Sequence, residues 1–222
     1  MKLTLEEVKN NPFIDNFIKQ TEKYLVALGY TDHGYRHVNI VSDRCMMLAR
    51  HLGLNQHDTE LAGIAGYCHD MGNFLGRTQH HYWSAMMFSQ IFIPAADPAD
   101  VSRVSQAIVT HDKDDLKIVD KISAVLIIAD KSDVHRDRVV GKTTKTNLEQ
   151  DIHDRVNYAA TSNSLKVNRF RKQIILKINI DIKEAKPMDY FEIFSDRMSF
   201  CRLAAEYLGY KFVLIINNFK LS

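Results

Sequence analysis

The sequence predicts a mainly α fold, a helical bundle followed by a small α+β C-terminal extension. Two observations carry that prediction. Through most of the first 160 residues, apolar side chains recur at three-and-four spacing, the period of a helix with one buried face. Near residue 162 the period changes: Leu176, Ile178, Ile180 and Ile182 alternate with Lys177, Asn179 and Asp181, as in a half-buried strand. The expected division is residues 1–161 for the helical domain and 162–222 for an extension packed on it. With 222 residues, 45% apolar and 25% charged, the chain has the make-up of one good-sized soluble domain with an appendage.

The elements follow in order. Leu5 to Leu28 reads as helix, with Pro12 marking a kink or a restart. Tyr35 to Leu52 carries Val38, Val41, Cys45, Leu48 and Leu52 on one face, and Gly53 suits its stop. Asp58 to Asp70 is rich in Ala and Leu, and Gln79 to Ile93 is closed by Pro94. The next helix opens with Asp97 as N-cap and Pro98 in the first helical position. Ile118 to Asp133 is strongly apolar from Ala124 to Ala129. A polar loop, Arg136 to Asn147, leads to a helix over Leu148 to Ala160. In the extension, strands are expected at Ser164–Val167, Ile174–Ile182 and Tyr210–Asn217, around a helix from Pro187 to Leu208 stopped by Gly209.

Composition narrows the functional classes. A formal net charge of +2 gives no basic field for nucleic acid. No apolar run approaches the ~18 residues of a membrane span, and the opening MKLTLEEVKNN is unlike a signal peptide. Cys45, Cys68 and Cys201 are far apart and odd in number, which suits reduced thiols and a cytoplasmic setting. Met46-Met47, Met86-Met87 and Trp83 read as core filling, and Cys68 as an inert buried thiol.

The chemistry lies in the histidines and acids at helix ends. His37 opens the second helix, His69-Asp70 close the third, and His80-His81 open the fourth. His111 closes the fifth, and Asp130 follows the apolar Ile127-Ile128-Ala129. A bundle can gather such positions into a metal site. A mixed imidazole and carboxylate set suits Fe, Mn, Zn or Ni. One histidine beside an apolar face is more often a hydrogen-bonded core or surface residue than a ligand. A buried Asp130 needs a cation or donors, and an Arg or Lys partner would serve as well as a metal.

The contexts resemble the HD superfamily of metal-dependent phosphohydrolases, over roughly residues 30 to 135. "YRHVNIVSDRCMMLARHLG" resembles its first metal helix, "LAGIAGYCHDMGNF" the segment with the His-Asp pair, and "VLIIADKSD" the last, an apolar run ending in Ala-Asp. "HHYWSAMMF" and "VSQAIVTHD" resemble the two segments that add histidines in dinuclear members, the first selecting His81 over His80. The resemblance implies an HD-type helical bundle. It implies His37, His69, Asp70 and Asp130 on one ion, with Asp70 bridging to a second held by His81 and His111. This is similar to bacterial HD-type dinucleoside tetraphosphate hydrolases. Cyclic-dinucleotide phosphodiesterases fit less well: their Gly-Tyr-Pro signature is missing, Asn73 stands where they usually have Lys, and His111-Asp112 replaces paired histidines.

The implied reaction is metal-assisted hydrolysis of a phosphoester or phosphoanhydride of a nucleotide or other small phosphorylated metabolite. Two cations activate a water and stabilise charge on the phosphoryl group. Asp70 and Lys131 are the expected catalytic residues, and Arg36, Arg77, Lys131 and Arg136 the expected substrate-binding cations. Asp133 is a candidate for orienting a ligand histidine. His33, His51, His57, His135 and His153 read as surface residues. The extension is expected to cover the site, shape substrate choice or form a homodimer contact. A di-iron oxygenase and a non-enzymatic nucleotide- or metal-sensing module are the competing readings.

Overall fold

The computed structural model describes residues 2–113, 117–140 and 151–221. The N-terminal stretch is two helices, α1 (Leu5–Lys9) and α2 (Pro12–Ala27). Pro12 is a restart, not a kink: Asn11 accepts hydrogen bonds from the Phe13 and Ile14 N–H groups, and Pro12 takes the position where no donor is needed. Next come α3 (Tyr35–His51), α4 (Gln56–Cys68), α5 (His80–Phe92), α6 (Pro98–Thr110) and α7 (Lys121–Lys131). Asp97 caps α6 and Asp120 caps α7, each through its own carboxylate.

These helices form the bundle. α3 packs on α4 and α7, α4 on α6 and α7, and α5 on α6. Ile122 and Ala124 to Ala129 are fully buried, so α7 is covered on every side and runs through the centre. Val38, Val41 and Leu48 of α3 and Leu61 and Ile64 of α4 meet it there, each such side chain contributing about 1.5–3 kcal/mol by leaving water. Gly66 makes the α3–α4 contact possible: a Cβ there would lie 2.9 Å from the Ser42 Cα. That close approach brings the start of α3 beside the end of α4.

The extension begins where α8 (Ile152–Ala159) runs directly into β1 (Ala160–Asn168). β2 (Gln173–Ile180), α9 (Pro187–Tyr207), β3 (Lys211–Ile216) and β4 (Phe219–Lys220) follow. The sheet order is β1-β2-β3-β4, with β2 and β3 parallel and the outer pairs antiparallel. α9 is the crossover between the parallel strands and packs on both β3 and α7, which ties the extension to the bundle.

Several boundaries differ from expectation. β2 stops at Ile180 because the Asp181 N–H turns to the Ala159 carbonyl at 2.8 Å, leaving Ile182 exposed. β4, two residues long, is too short to leave a pattern. Met86 is 63% exposed and Trp83 38%, so these two side chains of α5 face outward instead of filling the core. The expected helix start at Leu148 and loop residues 141–147 lie outside the described residues. Among the described residues, no helix is long and apolar enough to cross a membrane.

Candidate metal centre

The site sits where α3, α4, α5, α6 and α7 meet. His37, in the first turn of α3, is fully buried, and its Nδ1 lies 2.8 Å from the Asp133 carboxylate. Asp133 is itself buried and paired with Arg36 at 3.1 Å. The other three imidazoles share one device: each Nδ1 donates to the carbonyl three residues earlier. His69, the C-cap of α4, bonds Gly66 at 2.8 Å; His111, the C-cap of α6, bonds Ile108 at 2.6 Å; His80, the first residue of α5, bonds Arg77 at 3.0 Å. With Nδ1–H committed outward, each Nε2 faces the centre, where its lone pair would serve an ion once the ring is neutral, the arrangement that orients histidine ligands.

Two carboxylates meet these nitrogens. The His37 Nε2 lies 3.3 Å from the His69 Nε2, 3.5 Å from Asp70 Oδ2 and 3.4 Å from Asp130 Oδ1. The His69 Nε2 lies 3.3 Å from Asp70 Oδ2 and 3.6 Å from Asp130 Oδ1. Tetrahedral N and O donors about 2.1 Å from a shared ion stand about 3.4 Å apart, so the two nitrogens stand from each carboxylate at the spacing of donors to one ion. The second oxygen of Asp70 faces elsewhere. Its Oδ1 is 3.1 Å from the His80 Nε2 and 3.9 Å from the His111 Nε2, and those two nitrogens are 3.3 Å apart. His37–His69–Asp70, His69–His111–Asp130 and Asp70–His80–His111 are each close enough to hold an ion.

Comparison with known proteins agrees. Residues 34–136 match the HD domain model. The match supports membership of the HD superfamily, whose members are mostly metal-dependent hydrolases. The chain is also similar to Uncharacterized protein MJ1020 of Methanocaldococcus jannaschii, 27% identical over 101 residues. It spans 39% of that relative's length, and the similarity covers 39% of this chain.

Within the cluster, protonation states show a demand for positive charge. Burial opposes ionisation of Asp70, yet His69 and His80 hold its carboxyl well below the usual range. Burial likewise opposes ionisation of Asp130, which Lys131, His37 and His69 hold well below the usual range. Burial would deprotonate His69, but Asp70 and Asp130 overcome it and push it up to about 10. His111, farther from the carboxylates, is pulled down to about 3 by burial and by His69 and His80. Without an ion, the carboxylates take their charge from a histidine proton, and a divalent metal would supply it in its place.

The loop after the HD pair is fixed by packing. Gly72 is not there for an unusual turn, since its φ is −89°. It is there for space: a Cβ would lie 2.5 Å from the Ser84 N, and its own N–H bonds Ser84 Oγ at 2.8 Å. The Asn73 amide donates to Asp70 Oδ1 at 2.9 Å and turns its oxygen to Arg77.

The second histidine of the expected set differs. His80, and not His81, points to Asp70 and His111. Gln79 adopts a left-handed conformation, the helix starts at His80, and the bond to the Arg77 carbonyl aims the His80 ring inward. His81 instead packs against Tyr82, with ring centres 4.3 Å apart and planes tilted by 45°, and sits beside His80 and Asp112 at the edge of the cluster.

Of the expected substrate cations, Lys131 and Arg77 line the cleft over the cluster. Lys131 Nζ lies 3.0 Å from Asp130 Oδ2 and 3.3 Å from Asp112. Arg36 and Arg136 do not line it: Arg36 is engaged by Asp133 behind His37, and Arg136 lies over the Tyr158 ring. The cleft also takes in residues that the sequence left aside. His33 is buried, not on the surface, with Nε2 3.2 Å from Arg138, whose guanidinium also bonds the Asp32 and Asp133 carbonyls. Arg197 arrives from α9. Only its distance along the chain hid it, since no local pattern links residue 197 to a site centred on residue 70.

Proposed function

We propose that this protein is a metal-dependent phosphohydrolase that binds two divalent ions, of Fe, Mn, Zn or Ni type, and cleaves a small phosphorylated metabolite such as a nucleotide. The observation that carries the reading is the inward convergence of four Nε2 atoms on Asp70 and Asp130, with the two oxygens of Asp70 facing different histidine pairs. His37, His69, Asp70 Oδ2 and Asp130 would hold one ion. Asp70 Oδ1, His80 and His111 would hold the other. Ions so placed supply an activated water and charge neutralisation at the phosphoryl group.

The protein's own groups set up the rest. Asp133 and the three backbone carbonyls hold the imidazoles in one tautomer and one orientation. Lys131, kept protonated by Asp130 and Asp112 against the pull of burial, presents a cation to phosphoryl oxygens in the cleft. Arg77 presents a second, steadied through Asn73 by the loop that carries Asp70.

The test is elemental analysis joined to phosphate release. Protein loaded with Mn or Fe should carry about two ions per chain and release phosphate from a panel of phosphoesters. Iron-dependent oxygen consumption without phosphate release would favour the oxygenase reading. Tight nucleotide binding without turnover would favour the sensor.

A further inference from the structure

The metal cleft opens into an adjoining cavity of about 220 Å³. Three residues, His33, Arg77 and Arg197, line both spaces and so form the passage between them. Among the described residues neither arginine is in an ion pair. Arg77 donates to Asn73 Oδ1 at 2.9 Å, and the Arg197 guanidinium rests over the Phe194 ring, 5.0 Å from its centroid. Burial and the neighbouring Arg138 and Arg77 hold the Arg197 pKa below its ordinary value, a sign of surplus positive charge. Two unpaired guanidinium groups beside a metal cluster are an anion receiver.

The wall built by α8 has the opposite character. Asp151, Asp154 and Asn157 line the cavity there. Among the described residues, neither carboxylate is in an ion pair. Asp151 caps α8 through the His153 and Asp154 N–H groups. Burial and Asp151 together raise the Asp154 carboxyl above its usual value, as expected for two acids facing one space. The Asn157 amide donates to the His153 carbonyl, and its buried oxygen has no partner. The Asn157 oxygen is an acceptor without a donor, and the two carboxylates offer further acceptor oxygens beside it.

We propose that this cavity holds the alcohol portion of a phosphomonoester, a sugar-sized polyhydroxylated group carrying a single phosphate. Arg77 and Arg197 receive the phosphoryl group at the passage, and Asp151, Asp154 and Asn157 accept hydrogen bonds from hydroxyls. The proposal rests on the hydrolytic reading of the adjacent metal cluster. Water adds to phosphorus as the P–O bond to the alcohol breaks, releasing the alcohol and inorganic phosphate. Size supports a small group, since the cavity falls below the roughly 300–1,000 Å³ of pockets for drug-sized ligands. Charge supports a single phosphate: a second one at the far end would meet Asp151 and Asp154, a like-charge contact that rejects the wrong ligand. The extension, through Arg197 of α9 and the α8 acids, thus becomes the specificity element of the HD domain.

Calorimetry with ribose 5-phosphate and ribose 1,5-bisphosphate tests this on the intact, metal-loaded protein, alongside phosphate release from both and from p-nitrophenyl phosphate. The wild type should bind the monophosphate about tenfold or more tightly than the bisphosphate. Asp154→Asn should narrow that ratio to about threefold or less, and Arg197→Gln should weaken both ligands about tenfold. Equal affinities in the wild type, or a ratio that Asp154→Asn does not move, overturn the proposal. Cleavage of p-nitrophenyl phosphate with equal affinities sinks the cavity assignment alone. The expected binding ratio without any phosphate release upholds the cavity and sinks the hydrolytic reading.

Discussion

The two sides of Asp70 are built from the same residue types and are not alike. On the Oδ2 side, His37 and His69 meet two carboxylates, the five distances measured from their Nε2 atoms run from 3.3 to 3.6 Å, and Asp133 backs His37 with a full charge. On the Oδ1 side, His80 and His111 share one carboxylate oxygen, the distances spread from 3.1 to 3.9 Å, and only backbone carbonyls stand behind the imidazoles. The nearest further acid, Asp112, is 3.8 Å from His80 and 40% exposed. The first side is already organised for an ion, with Asp130 at the edge of the cleft. The second is looser, opens to the cleft, and leaves room for substrate oxygens. One shared carboxylate can therefore join a tight structural half to a half that accepts ligand.

The largest test of that difference removes the residue common to both. Asp70→Ala should take bound metal from about two ions per chain to near zero, read by elemental analysis. It should also abolish the thermal stabilisation by added metal, which reaches about 4 kcal/mol at a thousandfold excess over Kd. His80→Ala should instead leave about one ion, held by the Oδ2 side. Equal losses in the two variants would show that the halves do not bind independently.

A smaller effect is expected from behind the tighter half. Asp133→Asn keeps the size of the side chain but withdraws the charge facing the His37 Nδ1–H and the Arg36 guanidinium. Loss of such an outer partner weakens metal affinity by about 10–100-fold. Titration calorimetry should show the weakening in the first binding event and little change in the second. A change confined to the second event would reverse the roles given to the two sides.

How much of this was legible from the residues depended on where each signal was stored. His37, His69, Asp70, His111 and Asp130 could be picked out because each sits near a helix end or beside an apolar run, in a local context that resembles the HD superfamily. α7 was legible for the same reason: an unbroken apolar run demands burial on all faces. Asp133 was visible as a candidate, although its bond to His37 spans 96 positions in the chain. Among the cations, Lys131 was legible because it directly follows Asp130, but the arginines were not sorted by the sequence. Arg36, Arg77, Arg136, Arg138 and Arg197 are the same residue type, and only packing decides which face the cleft. Arg36 is turned away by Asp133 and Arg136 by Tyr158, while Arg197 is delivered by a crossover helix whose place on α7 follows from the sheet. Met86 and Trp83 misled because α5 is apolar on more of its surface than the bundle covers.

The smallest expected effect concerns the neighbouring histidines of α5. Adjacent helical positions diverge by about 100°, and of His80 and His81 it is His80 that faces Asp70, at 3.1 Å. The bond from the His80 Nδ1 to the Arg77 carbonyl selects His80, and His81 packs its ring on Tyr82. His81→Ala should therefore change second-site metal affinity by about threefold at most, the scale of a packing adjustment near the ligands, while His80→Ala removes that ion. The measurement is the affinity and stoichiometry of the second binding event in the two variants. Loss of the second ion on His81→Ala, with His80→Ala nearly silent, would mean that the start of α5 rewinds by one residue when metal binds, bringing His81 inward.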